Sequence, residues 1–393
     1  MRDALPWIGL VAGVGLILVT LSSVLITMVI PRSANSVITS AVARVVRGSF
    51  TVVAGRFDEY TDRDRVLAMG APTFLMVLLV TWIGLLVLGF GLMMWPAQGS
   101  FPAGMRLAGS SMFTLGFVAP DGAGPTALVF CAAAAGLGVV ALEISYLPTL
   151  YGAFNRRERL VTMLEFLGGV PAWGPEILAR HELIDNVSKL GWLYEQWTEW
   201  AADVSESHTT YRTLVYFRSP QPMRSWVIGL LSVLDAAALH LSLNPLSAPA
   251  DARPLLRMGY VAMQELARDQ RLPFNPDPLP EDPIMLTREE FDAGVAHLEQ
   301  AGWNRERTTD EAWIHFRGWR VNYEQAAYEL AARLDAPPAF WSGPRRRRRT
   351  TAQAPDRPPH REPRDVDRLR TTTAQRRAVR RTPRPPTTPL PPD

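Results

Sequence analysis

The chain has 393 residues, 47% of them hydrophobic and 20% charged, with a formal net charge of +3. Its single cysteine, Cys131, excludes an intrachain disulfide framework and a Cys-rich zinc site, and uncharged apolar runs in the first 150 residues exclude an ordinary soluble domain. The charge is segregated: residues 344–393 hold fifteen arginines, five acids and eleven prolines, net +10, which leaves residues 1–343 at −7.

Trp7 to Ile30 is an uncharged run of 24 residues. As a helix it spans roughly 36 Å, enough for a bilayer core of about 30 Å. The run exceeds the apolar part of a cleavable signal peptide, and Met1-Arg2-Asp3 lacks a basic start, so a retained membrane helix is expected over residues 1–30. Within the linker 31–65, residues 37–56 mix an apolar face with Arg44 and Arg47. That pattern fits a helix lying in the membrane interface or a soluble helix packed on the later part of the chain. A second uncharged run, Val66 to Trp95, ends on a tryptophan placed as an interfacial anchor. The third run, Pro125 to Leu142, continues through Glu143 to Phe154. Small residues, Ala132 to Gly138, fill its centre, and small residues let helices approach closely in lipid. Pro148 is expected to kink or end this helix.

Basic residues set the orientation. Arg32, Arg44, Arg47, Arg56, Arg63 and Arg65 separate the first two runs, and Arg156, Arg157 and Arg159 follow the third, whereas only Arg106 lies between the second and third. The positive-inside rule places the first two groups in the cytoplasm and the N-terminus and residues 96–124 outside. Lys189 is the only lysine among 41 basic residues, which points to a high-GC bacterial genome and hence to a bacterial inner membrane.

The segment between the second and third runs reads WPAQGSFPAGMRLAGSSMFTLGFVAPDGAGPTALV. It is polar at first, helix-compatible from Ala103 to Phe113, then Thr114-Leu115-Gly116-Phe117, then turn-rich from Ala119 to Pro125. Gly116 can take positive φ without steric penalty. Non-helical backbone at membrane depth is tolerated only where it is buried in protein or lines water.

This order resembles the re-entrant pore loop of the potassium-channel superfamily, in which a short pore helix and a TVGYG filter stand between an outer and an inner helix. Ser111 to Phe117 matches the Thr–x–Gly–aromatic core, and the resemblance covers about residues 70–155. It implies a selectivity filter of Thr114, Leu115, Gly116 and Phe117, whose oxygens replace a cation's water shell. It implies monovalent cations, potassium first, as the transported species, and four chains around one axis. The family's second filter glycine is replaced by Val118, a β-branched residue that resists positive φ. Its outer-mouth aspartate is displaced to Asp121, a candidate cation attractor. Gly136 and Gly138 fit a gating hinge or close helix packing. Glu143 fits an acid of the inner vestibule or a partner for Arg156, Arg157 or an arginine of residues 37–56.

Residues 155–343 read as a mostly helical cytoplasmic domain. Leu160 to Leu167 and Pro175 to Trp200 have helical apolar spacing, and Trp192, Trp197 and Trp200 fit a core. Met223 to Leu243 is apolar enough for a fourth span, but Asp235 and His240 favour a buried soluble helix. Thr287-Arg288-Glu289-Glu290 fits a capping box opening a helix to about Gln300, and Asn322 to Leu334 is another helix. The stretch SHTTYRTLVYFRSPQPMRSWVIGLLSVLDAAALHL resembles cytoplasmic parts of bacterial membrane proteins with the same pore-like region. The segment 344–393 has the composition of a disordered tail, and its run Arg345 to Arg349 is suited to anionic lipid headgroups. Without interleaved aromatics it is not expected to bind nucleic acid. No dinucleotide fingerprint, P-loop or HExxH motif appears, so no enzyme, cofactor or metal site is expected. Glu206-Ser207-His208 is too local to make a nucleophile and base.

The expected architecture is an all-α membrane protein: three transmembrane helices, a re-entrant loop between the second and third within a pore domain at 66–154, and the helical domain. The rival reading is a membrane-anchored, non-conducting sensory or scaffold protein.

Overall fold

The computed structural model describes residues 5–30 and 36–343, and every long regular element among them is helical. The expected tail, 344–393, lies outside the described residues.

α1 (Leu5–Met28) lies along α4 (Gly70–Gln98). Small residues bring them together: a Cβ on Gly13 would stand 2.5 Å from the Gly89 carbonyl oxygen. Trp82, fully buried between them, donates its Nε1–H to Ser23 Oγ at 2.9 Å. α2 (Val37–Ala54) starts beside α1, its N-terminus capped by Ser36. A polar clasp joins the two helices, with Ser23 and Ser36 hydroxyls 2.5 Å apart and Thr27 and Thr39 hydroxyls 2.8 Å apart. α2 packs on α1, on α4 and on α3 (Tyr60–Ala68), yet leaves Val37, Val45 and Val52 exposed. It also reaches the helical domain, where Arg47 donates to the Tyr216 hydroxyl at 2.7 Å. That contact matches the reading of 37–56 as a helix packed on the later part of the chain.

α5 (Phe101–Met112) follows α4 after the left-handed Gly99 and packs between α4 and α6 (Ala123–Gly168). α6 has 46 residues and extends roughly 69 Å. It runs through Pro148, so of the kink or end expected there the end does not occur. Tyr146, Leu150 and Ala153 bury one face on either side of the proline, and that packing offsets the one missing backbone hydrogen bond. α6 thus belongs to two hydrophobic cores. One gathers residues from Ile17 to Phe217, the other from Leu160 to Trp341.

The second core belongs to α7 (Gly174–Leu183), α8 (Leu190–Thr210), α9 (Trp226–Leu243), α10 (Ala252–Asp269), α11 (Arg288–Ala301), α12 (Thr309–Arg320) and α13 (Glu324–Arg333). α7 and α8 replace the single helix expected over 175–200. The chain breaks between them at Asp185, whose φ is 59°, and re-forms through a 3₁₀ turn at Val187–Lys189. All eighteen residues of α9 are buried, and α6, α7, α8, α10, α12 and α13 pack around it. A helix apolar all round needs such an enclosure. Its polar members are satisfied: Asp235 Oδ1 accepts from the Tyr323 hydroxyl at 2.8 Å and pairs with Arg320 at 2.5 Å, while His240 Nδ1 meets the Tyr194 hydroxyl at 3.1 Å. Trp197 and Trp200 are core residues, but Trp192 is 48% exposed.

α1, α2, α4 with α3, α6 and α9 are long and apolar enough to cross a membrane. Enclosure of α9 in protein leaves it no lipid-facing surface, whereas α1, α4 and α6 keep large apolar side chains exposed.

Candidate functional site

Backbone contacts fix α5. A Cβ on Gly104 would lie 2.5 Å from the Gly91 carbonyl oxygen of α4. At the other end, a Cβ on Gly136 of α6 would lie 2.7 Å from the Met112 carbonyl oxygen. The small residues of α5 therefore let it sit against both long helices, with Leu107 and Ala108 fully buried. Ser100 caps its N-terminus, accepting from the Ala103 N–H at 3.4 Å.

Beyond Met112 the chain leaves the helix and turns sharply. Thr114 has φ 53° and Gly116 φ 67°. The glycine takes this conformation freely, but the threonine is strained there. Ser110 braces the turn. Its carbonyl oxygen accepts from the Leu115 N–H at 2.8 Å and the Gly116 N–H at 3.3 Å, and its hydroxyl from the Val118 N–H at 3.3 Å. The Thr114 N–H donates to the Ser111 carbonyl at 3.0 Å. Val118 stays out of the left-handed region and packs partly buried against the first core. The left-handed positions of the turn are Thr114 and Gly116, and Val118 is not one of them.

Thr114, Leu115, Gly116 and Phe117 are all exposed in the single chain, and so are Phe113 and Asp121. Leu115 and Phe117 are each 62% exposed, an unfavourable state for apolar side chains on a loop. The same exposure continues down α6 through Phe130, Leu137 and Ile144, a stripe at heptad spacing. Gly136 faces the opposite way, into α5, whereas Gly138 has open space around its Cα.

Glu143 lies on the buried face of α6, 3% exposed, between Val139 and Tyr146. Its Oε1 has no hydrogen-bond partner. Of the arginines considered as its partners, Arg156 pairs with Asp203 at 3.0 Å, Arg157 with Glu158 at 2.8 Å, and Arg47 donates to the Tyr216 hydroxyl.

Arg157, considered from the sequence only as a charge after the third run and a partner for Glu143, is the joint between the long helix and the domain. It is fully buried in the lower part of α6. Its guanidinium donates to the carbonyls of Leu214 at 2.9 Å and Phe217 at 2.7 Å and to His208 Nε2 at 3.0 Å. Phe154 and Trp226 flank it. With Nε2 accepting from Arg157, His208 carries its proton on Nδ1 and donates it to Ser207 Oγ, 2.9 Å away. Ser207 therefore receives a hydrogen bond from the histidine and is not activated by it. Among the described residues no three His, Cys, Asp or Glu side chains converge as a metal site. No protein-family model, curated protein or solved structure matches this chain.

Proposed function

We propose that the chain is one subunit of a tetrameric pore-loop cation channel in the bacterial inner membrane, with α5 as pore helix and Thr114–Phe117 lining the ion path. Transport is passive, and potassium is the expected ion. The observation that carries the reading is the short helix α5 set between two long apolar helices and ending in an exposed turn braced by Ser110. A single chain cannot enclose an ion, and four copies about an axis would cover Leu115, Phe117 and the exposed stripe of α6 together. The helix C-terminus carries partial negative charge and favours a cation beyond it. The distribution of arginines supports an external loop and a cytoplasmic helical domain.

The test is cation flux into liposomes holding purified protein, wild type beside Gly116→Val, under potassium and sodium gradients. The left-handed Gly116 rejects a β-branched residue, so flux should fall by at least about tenfold in the variant. Folded, tetrameric protein without flux, or flux indifferent to Gly116→Val, would instead favour a membrane-anchored scaffold.

A further inference from the structure

A cavity of ≈ 870 Å³ opens where α2, the start of α4 and the helical domain meet. Its lining carries eight arginines and three aspartates. Four of those arginines are neutralised in pairs: Arg63 with Asp335, Arg212 with Asp269, Arg218 with Asp64 and Arg224 with Glu165. The other four are not. Arg44 on α2, Arg271 after α10 and Arg333 at the end of α13 make no ion pair, and Arg47 meets only the Tyr216 hydroxyl. These residues come from three separate stretches of the chain and converge on one space. Two further donors are unused there. Ser219 Oγ, on a residue 5% exposed, and the buried Nε of Arg224 have no hydrogen-bond partner.

The rest of the lining is mixed, with Asp58 and hydroxyls such as Thr39, Ser40 and Thr51 beside an apolar part. Ile26 and Ile30, where α1 ends, share it with Phe50 and Phe74. Uncompensated guanidinium groups and buried donors thus stand beside the exit of the membrane helices. Guanidinium forks suit phosphate oxygens, and apolar residues next to them suit hydrocarbon. The arginine-rich segment of this chain, net +10, has the wrong sign to occupy the cavity. We infer that the cavity binds the phosphate headgroup of an anionic phospholipid, held by Arg44, Arg47, Arg271, Arg333 and Ser219, with its acyl chains toward α1 and α4. A lipid held there touches α2 and the helical domain at once, so its occupancy is felt on both sides of the joint. The inference does not rest on conduction.

The experiment measures retention of labelled phosphatidylglycerol by the full-length protein in neutral detergent. Phosphatidylcholine and inorganic phosphate serve as competitors. Saturable binding near one lipid per chain is expected, with phosphatidylcholine and millimolar phosphate failing to displace it. Arg44→Gln, Arg271→Gln and Arg333→Gln together should weaken it on the order of a hundredfold, since each basic side chain near an anionic headgroup contributes about fivefold. The same charge removed outside the cavity, by Arg253→Gln, Arg257→Gln and Arg288→Gln, should leave it unchanged. Ser219→Ala, which alters no charge, should weaken binding severalfold and decides the matter if the triple variant misfolds. Equal binding of phosphatidylcholine, equal loss in both triple variants, or no loss in Ser219→Ala would overturn the inference. Displacement by inorganic phosphate would overturn the lipid as the source and leave a free anion as the ligand.

Discussion

Gly136 of α6 stands against Met112 at the end of α5, so close that a Cβ on it would be 2.7 Å from the Met112 carbonyl oxygen. The position of α5, and with it the turn at Thr114–Phe117, depends on that missing methyl group. Gly136→Ala should force the two helices apart and destabilise the protein by about 1–3 kcal/mol, the usual range for overpacking a tight contact. Gly138, two residues on, has open space at its Cα, and an alanine there should be tolerated or mildly stabilising within the helix. Thermal unfolding of the two variants in one detergent checks this. Equal midpoints would remove Gly136 as a packing contact and return it to the hinge reading.

Ser110 acts on the turn twice, through its carbonyl and its hydroxyl. Ser110→Ala removes only the second contact and leaves the Val118 N–H without its acceptor. The expected loss is about 1 kcal/mol, small enough for the protein to fold and assemble. If the turn lines an ion path as proposed, the effect should also appear as a lowered potassium-to-sodium flux ratio, beside a melting midpoint lowered by only about 2–4 °C. An unchanged ratio in conducting protein would show that the Val118 end of the turn does not contribute to selectivity.

The long helices were legible because lipid-crossing segments are written as uninterrupted apolar runs. Trp7 to Ile30 became Leu5–Met28, and the helix expected over 103–113 became Phe101–Met112. The Thr287 capping box was legible because its two partners are three residues apart, and both of its hydrogen bonds form. An equivalent box at Thr308 and Glu311 opens α12, which was not expected from the sequence, and α10 was also missed. In α10, Leu255, Leu256, Met263 and Leu266 share the buried face, but interspersed arginines dilute the apolar signal. What local pattern cannot carry is convergence. Ser110 looks like any small residue of a short helix, and nothing near Arg157 in the chain announces carbonyl partners 57 and 60 residues away. The cationic cavity likewise appears only when α2, α10 and α13 are brought together.

Arg157 is a buried cation satisfied from several sides, and Glu158 is its one carboxylate partner. Arg157→Met should destabilise by about 3–5 kcal/mol, because it leaves the buried Glu158 and the Leu214 and Phe217 carbonyls unpaired. Adding Glu158→Gln should recover part of that loss by removing the stranded charge. Denaturant midpoints of the two single variants and the double variant form the cycle that measures it. Additive losses would show that Arg157 and Glu158 are not coupled, leaving the Leu214 and Phe217 carbonyls as the contacts through which Arg157 acts.

Three imidazoles in the helical domain are held in their neutral form. Burial pushes His181 down, burial brings His240 down to about 4, and burial together with the Arg157 charge pushes His208 well below the ordinary histidine range. In the unfolded chain each protonates near pH 6.5. Between that value and pH 4 the unfolded state gains protons that the folded state refuses. Stability is therefore fully present above pH 6.5 and declines as pH falls toward 4, by about 3 kcal/mol for a shift the size of that at His240. The unfolding midpoint should drop steadily from pH 7.5 to pH 4.5. His240→Gln should flatten that decline, since the glutamine keeps a hydrogen-bonding group near Tyr194 but takes up no proton. A midpoint that stays level across this range would mean that the buried histidines do not govern the acid stability of the domain.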